Sequence, residues 1–380
     1  MRQPQQSLTT PFRWLDSKLH QFFDNKFWQV RLLFLALIIS TGTLLTFNFI
    51  LVDKGLRSLY LEMRQPGSIG GFFWDDIIKQ GADPFTPKDY EAGSHEANQT
   101  FRLTIPLIAY ALHLNVATLY MLQLLVGLVF LWTVVNIVNR ILNDRVLTFY
   151  FLTGFTAIYA GANFYINYLG HVDVFPFCFM AFALYYRNPL LILLFSQLSF
   201  WCDERAIINS SFIGLWFLIP FVDQLQTTGK WNWKLISPTI LILIFSGVLY
   251  LALRKWLELS FNLKIGHDNA LSVKSFFWSL SIFGDKVTRG LEGMWLIIGA
   301  ACLILWQARQ LWKLFLFAGA LSVTLLIALL VADGTRALSF GFIAFFIALK
   351  ILHESIPSKQ LKYLLIVSAL VSLMLPISFP

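Results

Sequence analysis

Long apolar runs separated by short polar turns occupy most of this chain. A helix that crosses a bilayer perpendicularly needs roughly 20 residues. Several runs are shorter, and short spans in a protein with many helices are shielded by their neighbours. The pattern predicts an all-α, polytopic integral membrane helical bundle. We expect about eleven transmembrane helices, at residues 30–52, 116–138, 146–165, 172–186, 189–202, 206–222, 235–253, 293–308, 312–332, 337–351 and 361–378.

The segment before the first apolar run mixes basic and aromatic side chains. Leu15, Leu19 and Phe23 recur at helical spacing, with basic residues between them. This pattern predicts an amphipathic helix that lies at the membrane surface. We therefore divide the chain into a cytoplasmic amphipathic N-terminal segment, 1–29, and a single transmembrane domain, 30–380.

The longest polar interval, residues 71–102, is rich in acidic side chains. It is either a solvated loop between spans or an active-site loop that lies on the membrane surface. The first alternative is the simpler explanation of any single carboxylate. The ionisable residues of this interval include Asp75, Asp76, Asp83, Asp89, Glu91, His95, Glu96 and Arg102.

Composition supports the membrane assignment. Hydrophobic residues make up 57% of the 380 positions and charged residues only 13%, whereas soluble domains carry about 25% charged residues. The net charge of +8 does not indicate nucleic-acid binding, because the basic residues lie at the ends of spans. There they set orientation and contact anionic lipid. The three cysteines have no paired spacing and predict neither a metal site nor a disulfide framework.

The distribution of basic residues predicts an orientation. With the N-terminus inside, ten lysines and arginines fall in short inner loops, while only Arg205 and Arg336 fall in short outer loops. Because short cytoplasmic loops are enriched in basic residues, we expect a cytoplasmic N-terminus and an external C-terminus. Residues 53–102 and 254–292 then form long outer loops.

Three short outer turns place ionisable residues on the same face as the acidic loop. Charges at the edge of the hydrocarbon are costly and are commonly paired or functional. The plainer alternatives are an ion pair within the turn for Asp333 and Arg336, and a helix cap for His171 with Asp173. The residues of the three turns are His171 and Asp173, then Asp203, Glu204 and Arg205, and then Asp333 and Arg336.

The order of these motifs resembles the GT-C superfamily of polytopic glycosyltransferases, which use polyprenyl-phosphate sugars. The likeness covers about residues 50–340 and is nearest to bacterial members, which implies that the protein lies in a bacterial inner or plasma membrane. Trp-Asp-Asp stands where that group has a Tyr-Asp-Gly-Gln core, which leaves two aspartates as candidates. The matching positions are Gly71, Trp74, Asp75, Asp76, Gly81, Asp83, Pro84, Arg102, Pro106 and Leu107, then Asp203, Glu204 and Arg205, then Asp333 and Arg336.

The resemblance implies transfer of a sugar from a polyprenyl-phosphate donor to an acceptor at the extracytoplasmic face. Asp75 or Asp76 would be the general base, and Asp53 is a third candidate. Arginines would bind the lipid phosphate. No nucleophile motif, Walker loop, GxGxxG fingerprint or metal-ligand spacing is visible, so we expect no cofactor and no metal. We expect substrate contacts from Glu96, Arg102, His171, Asp173, Asp203, Glu204, Arg205, Asp333 and Arg336.

Two other classes of function remain open. A transporter or flippase also needs charges at membrane depth, but the sequence shows no repeated half and no pair of broken spans. A non-catalytic membrane component of a polysaccharide assembly is the other alternative. The crowding of charges on one face favours the transferase.

Overall fold

The protein is built from helices and turns. The computed structural model describes residues 10–68, 72–86, 99–230, 232–263, 277, 280–331 and 333–375. In these ranges there is no β-strand, so the prediction of an all-α chain is confirmed for them. Each of the eleven apolar segments picked out in the sequence is largely helical.

The helices follow one another with short connections. Three further short stretches, Trp233–Leu235, Glu292–Met294 and Phe340–Phe342, are 3₁₀ turns. The described α-helices are α1 Thr10–Phe23, α2 Trp28–Arg64, α3 Trp74–Ala82, α4 Thr104–Ala111, α5 Val116–Leu142, α6 Arg145–Ala157, α7 Tyr159–Ile166, α8 Val174–Tyr185, α9 Pro189–Phe200, α10 Arg205–Thr228, α11 Pro238–Phe261, α12 Phe283–Leu291, α13 Trp295–Gln307, α14 Leu311–Leu330, α15 Gly334–Ser339, α16 Ile343–Ser355 and α17 Ser358–Met374.

Several of these helices have the length and composition of membrane spans. Among the described residues, seven are long and apolar enough to cross a bilayer. The protein is therefore a polytopic integral membrane helical bundle, while the larger number of eleven spans remains a prediction. The seven are Trp28–Arg64, Val116–Leu142, Arg205–Thr228, Pro238–Phe261, Phe283–Gln307, Leu311–Leu330 and Gly334–Ser355.

The centre of the bundle is the helical segment Gly334–Ser355, which is buried almost throughout. Its phenylalanines pack edge-to-face against neighbouring helices: the Phe342 ring lies 5.3 Å from Phe130, and Phe340 lies 4.8 Å from Phe177. In contrast, α2, α11 and α14 bury only a small share of their apolar residues. Their exposed apolar faces suit contact with lipid.

Successive apolar segments alternate in direction, so the connecting turns collect at two ends of the bundle. Side-chain contacts join the turns of each end: Arg336 reaches Asp173 at one end, and Lys313 reaches Asp223 at the other. We name the end with the contact between Arg336 and Asp173 the cluster end, and the end with the contact between Lys313 and Asp223 the N-terminal end. The cluster end contains the turns 167–173, 201–204 and 331–333, and the N-terminal end contains 143–144, 186–188, 308–310 and 356–357.

Helix continues into both segments that the sequence assigns to long outer loops. Helix α2 does not end near residue 52 but runs to Arg64, with one non-helical residue at Asn48. The i,i+4 ion pair between Arg57 and Asp53, at 2.9 Å, supports this extension because such pairs stabilise a helix surface. Helix α11 likewise continues to Phe261. Hydropathy alone missed both extensions, since polar residues continue a helix as well as apolar ones do.

The predicted amphipathic helix is present as α1. Its Leu19 and Phe23 are buried, while Trp14 and Phe22 are exposed. The carboxylate of Asp16 accepts a hydrogen bond from the Tyr150 hydroxyl, at 2.9 Å, and another from the Lys362 ammonium. One face of α1 is therefore fixed to the bundle, and the other carries aromatic side chains outward.

Candidate functional site: a buried ionic cluster beside an apolar cavity

The turns of the cluster end meet in a network of ion pairs. We call it the ionic cluster, and its members are Arg102, Asp173, Asp203, Glu204, Arg205, Asp333 and Arg336. Its deepest part is the pair formed by Arg336 and Asp173, whose side chains are 2% and 1% exposed. The guanidinium donates two hydrogen bonds to the carboxylate, at 2.5 and 2.7 Å. This is the bidentate geometry that makes Arg–carboxylate pairs strong.

A second bidentate pair lies next to the first. Arg205 donates to both oxygens of Asp203, at 2.8 and 2.6 Å. The same guanidinium approaches Asp173 to 3.6 Å, and Arg102 approaches Asp203 to 3.3 Å. Asp203 therefore contacts Arg102 and Arg205 directly. Asp173, which lies near both Arg205 and Arg336, connects this pair of contacts to the third arginine of the cluster.

The outer edge of the cluster is the pair formed by Arg102 and Glu204. Arg102 donates to the two oxygens of Glu204 at 3.3 and 3.1 Å. The Glu204 side chain is 38% exposed, whereas that of Arg102 is 17% exposed. Glu204 is the most exposed side chain of the cluster.

Local sequence explains why these charges lie at helix ends. Asp333 precedes α15, and its side chain accepts from the backbone N–H of Arg336 at 3.2 Å, as an N-cap does. The Arg336 guanidinium also lies 3.2 Å from the Asp333 carboxylate. The plainer interpretation of these two residues, an ion pair within the turn, is thus correct but incomplete, because Arg336 reaches beyond the turn.

Asp173 does not cap the helix that follows it. Its side chain makes no capping hydrogen bond at the start of α8, and instead accepts from Arg336 and from the Tyr159 hydroxyl at 2.8 Å. The capping alternative for Asp173 is therefore wrong. A buried guanidinium without a carboxylate partner costs more free energy than a helix terminus without a side-chain cap.

Electrostatics keeps Asp203 ionised. Burial raises the pKa of its carboxyl, but the charges of Arg102 and Arg205 outweigh that effect and hold the pKa well below its ordinary value. A carboxyl with a lowered pKa is a weak proton acceptor. Asp203 is therefore suited to positioning arginines and not to acting as a general base.

Helix α3 carries Asp75 and Asp76 against the same end of the bundle. It buries Trp74, whose indole N–H donates to the Tyr168 carbonyl at 2.7 Å, and the neighbouring Phe73 ring lies 5.0 Å from the His171 ring. Sequence patterning gave no hint of this helix, because nine residues in a polar interval carry too little periodicity.

The two aspartates of α3 have different surroundings. Asp75 lies 2.5 Å from Lys79, one turn along the helix, and its side chain is 14% exposed. Donation to this carboxylate raises the pKa of the Lys79 ammonium. Asp76 is exposed, and it lies on the same helix face as Phe73 and Gln80, its neighbours at i−3 and i+4.

A small cavity of about 30 Å³ connects α3 with the ionic cluster. Phe73, Gln80, Arg102 and His171 line it. Ile77 and Gln80 of α3 line this cavity, and Asp76 is exposed next to Ile77, outside the lining. Asp75 is instead tied to Lys79. Glu96, the remaining predicted substrate contact in this interval, lies outside the described residues.

A much larger apolar cavity, of about 450 Å³, adjoins the Arg102–Glu204 pair. It lies between α4, α9 and α11, and Leu103, Trp201 and Trp256 are among the side chains that line it. Leu103 directly follows Arg102 in the chain, so the lining of the apolar cavity begins one residue from the outer edge of the cluster.

Two further residues of this region were not singled out in the sequence. Tyr159 begins α7 and binds Asp173, and Arg254 donates to the Tyr250 hydroxyl at 3.4 Å and lies 4.7 Å from the Phe101 ring. Arg254 directly follows an apolar run, whereas Tyr159 lies inside one. In the sequence, the position of Arg254 at the end of a span was the signal that could have identified it. No signal in the sequence pointed to Tyr159.

The described part of the chain contains no group of three or more His, Cys, Asp or Glu side chains that would suit a metal ion. Comparison with protein-family models, with curated proteins and with solved structures finds no match for this chain. The resemblance to GT-C enzymes therefore rests on the motifs and their order alone.

Proposed function

We propose that the protein is a membrane glycosyltransferase that takes a sugar from a polyprenyl-phosphate donor. The position of Arg102 carries this proposal: it lies at the outer edge of the ionic cluster, and the next residue, Leu103, lines an apolar cavity of about 450 Å³. A polyprenyl phosphate joins an anion to a hydrocarbon chain. Arginine suits the phosphate, and the cavity suits the first isoprene units.

The transfer that we propose needs one base. The acceptor oxygen bonds to the anomeric carbon of the sugar, and the bond from that carbon to the donor phosphate breaks. The lipid phosphate leaves with the bonding electron pair, while the hydroxyl proton of the acceptor passes to a carboxylate. Arg102 stabilises the charge that develops on the departing phosphate.

Among the carboxylates, Asp76 fits the role of base best. It shares a helix face with Phe73 and Gln80, which border the cavity of Arg102. Asp75 is paired with Lys79, and Asp203 is a weak acceptor because its pKa is lowered by two arginines. Asp53, the third candidate, pairs with Arg57 on α2.

The test compares two matched variants in the same helix turn. Asp76→Asn keeps the shape but cannot take a proton, so we expect its turnover to fall by about 10²–10⁴-fold. Asp75→Asn removes the same charge one residue away and should retain activity. Sugar transfer is measured in nanodiscs with a panel of polyprenyl-phosphate hexoses, and donor binding is followed separately. Equal activity of Asp76→Asn and the wild type would contradict the assignment.

We further propose that the cluster end faces outward from the plasma membrane of a bacterial cell and that all eleven apolar segments cross it. The ten-to-two distribution of basic residues between short loops supports this orientation. It places the proposed acceptor on the extracytoplasmic side.

One observation favours a transporter instead. The third apolar segment is broken, because Ile158 has extended backbone between α6 and α7, and broken helices form the binding sites of many transporters. Passage of a labelled lipid-linked sugar across proteoliposomes, without sugar transfer by the wild type to any acceptor, would support this alternative. Transfer that depends on Asp76 would exclude it as the main activity.

A further inference from the structure

A cavity of about 610 Å³ opens at the N-terminal end of the bundle, opposite the ionic cluster. The ends of α5, α8, α10, α11 and α16 surround it. Its volume lies in the range of about 300–1,000 Å³ that is typical of small-molecule sites. The proposed transferase chemistry does not use this cavity.

Three cationic side chains from three separate elements line the cavity. Arg140 comes from the last turn of α5, Arg187 from the turn after α8, and Lys350 from α16. None of the three makes an ion pair within the described residues. Glu354 is the carboxylate among the lining side chains, so the fixed charges of the lining sum to +2.

Aromatic rings, and not carboxylates, hold two of these cations. The Arg140 guanidinium carbon lies 3.9 Å from the centroid of the Tyr185 ring, and the Lys350 ammonium nitrogen lies 5.2 Å from the Trp216 ring. A cation on an aromatic face keeps its N–H donors available. These two side chains are therefore ordered and still able to bind an anion.

Three other cations at the N-terminal end of the bundle form ion pairs with carboxylates. Lys313 pairs with Asp223, Lys362 with Asp16, and Arg145 with Asp24 at 3.5 Å. The lining of the cavity, in contrast, gathers three cations that form no ion pair among the described residues. Such a concentration is costly unless an anion balances it.

Two helix N-termini add to the positive potential. Helix α9 begins at Pro189 and α11 at Pro238, and both prolines line the cavity. Their caps, Asn188 and Ser237, accept from backbone N–H groups of the first turn. The positive potential at the N-terminus of a helix favours the binding of negative charge.

We propose that this cavity binds the phosphate headgroup of an anionic membrane lipid. The cations and helix termini meet the phosphate, and the apolar lining, with Leu184, Trp216 and Phe217 among it, meets the beginning of the acyl chains. Basic pockets between transmembrane helices bind anionic headgroups in this way. A lipid is favoured over free inorganic phosphate because the free ion has no apolar part that could contact the apolar lining.

The proposal is tested with the full-length protein in detergent by native mass spectrometry. Phosphatidylglycerol and phosphatidylcholine with identical acyl chains are titrated separately. We expect the wild type to retain phosphatidylglycerol in preference to phosphatidylcholine. Arg187→Gln, at an exposed position, should weaken phosphatidylglycerol binding about fivefold, and Arg140→Gln/Lys350→Gln about 30-fold.

Matched controls distinguish lipid binding in this cavity from general electrostatic attraction between the protein surface and an anionic lipid. Arg309→Gln and Lys359→Gln each remove one charge from exposed positions at the same end but outside the lining, and they should leave binding unchanged. Glu354→Gln removes the lining carboxylate and should strengthen binding about fivefold.

The outcomes are distinct. Competition by millimolar inorganic phosphate, lost in the same variants, would keep the phosphate site but overturn the lipid as its occupant. Equal retention of phosphatidylglycerol by the wild type, the double variant and the control variants would overturn the proposal altogether.

Discussion

At the scale of single residues, the Arg336–Asp173 pair is the feature on which the cluster end depends. Both side chains are almost inaccessible, and the two residues are 163 positions apart in the chain. Removing two charges from water is expensive, and only close, bidentate geometry offsets that cost. The pair therefore fixes how α8 and α15 meet, and with them the rest of the ionic cluster.

Breaking this pair on one side should destabilise the protein strongly. Arg336→Met leaves Asp173 as a buried charge with incomplete compensation, and we expect a loss of about 3–5 kcal/mol in the free energy of unfolding. Asp173→Leu/Arg336→Met removes both charges and should recover most of that loss. Unfolding midpoints in detergent report both values.

An exposed pair supplies the control for this experiment. Arg57→Met breaks the pair with Asp53 on the surface of α2, where we expect a change of at most about 0.5 kcal/mol. If the double variant at the cluster is as unstable as Arg336→Met alone, burial of an unpaired charge is not the cause.

At the scale of elements, α1 shows how an amphipathic helix is held to a bundle. Leu19 and Phe23 are buried against it, but apolar contact alone leaves the helix free to slide. Asp16 provides a fixed point, because Tyr150 on α6 and Lys362 on α17 both donate to its carboxylate. The exposed aromatic face is then presented at a constant height beside the membrane surface.

Loss of the Asp16 charge should loosen α1 without unfolding the bundle. Asp16→Asn keeps an oxygen for Tyr150 but removes the ion pair with Lys362, a change of about 1–2 kcal/mol. Amide hydrogen exchange within α1 should become about five- to 30-fold faster, with no change in α16. Asp24→Asn, at an exposed position, is the control and should leave exchange in α1 unaltered.

At the scale of the whole molecule, the two ends of the bundle have different chemistry. The cluster end pairs Arg102, Arg205 and Arg336 with carboxylates, whereas the N-terminal end leaves three cations around an open cavity. The same asymmetry underlies the orientation that we propose, since uncompensated positive charge belongs on the cytoplasmic side.

Cysteine labelling tests this orientation. Ser68→Cys lies at the cluster end and Thr228→Cys at the N-terminal end, and both positions are exposed. Cys178 and Cys202 are buried, so a Cys302→Ala background suffices. An impermeant maleimide added to intact cells should label position 68, and position 228 only after permeabilisation. The opposite pattern would reverse the proposed orientation.

The sequence by itself determined the apolar helical segments and their order. Hydropathy located the eleven helical apolar segments, and their alternation brought the turns with Asp173, Asp203 and Asp333 to one end. Both results follow because a bilayer makes the choice between helix and turn a local matter of apolar length. The boundaries of α2 and α11 were less secure, since polar residues also extend a helix.

Only the tertiary structure decided which side chains meet. The sequence contained Arg336 and Asp173 but not their pairing, because partners so far apart in the chain are chosen by helix packing. It did not separate Asp75 from Asp76, since the face of α3 that borders the cavity depends on where that helix docks. Arg140, Arg187 and Lys350 counted in the sequence only as orientation signals. Packing of the helix ends brought them around one cavity.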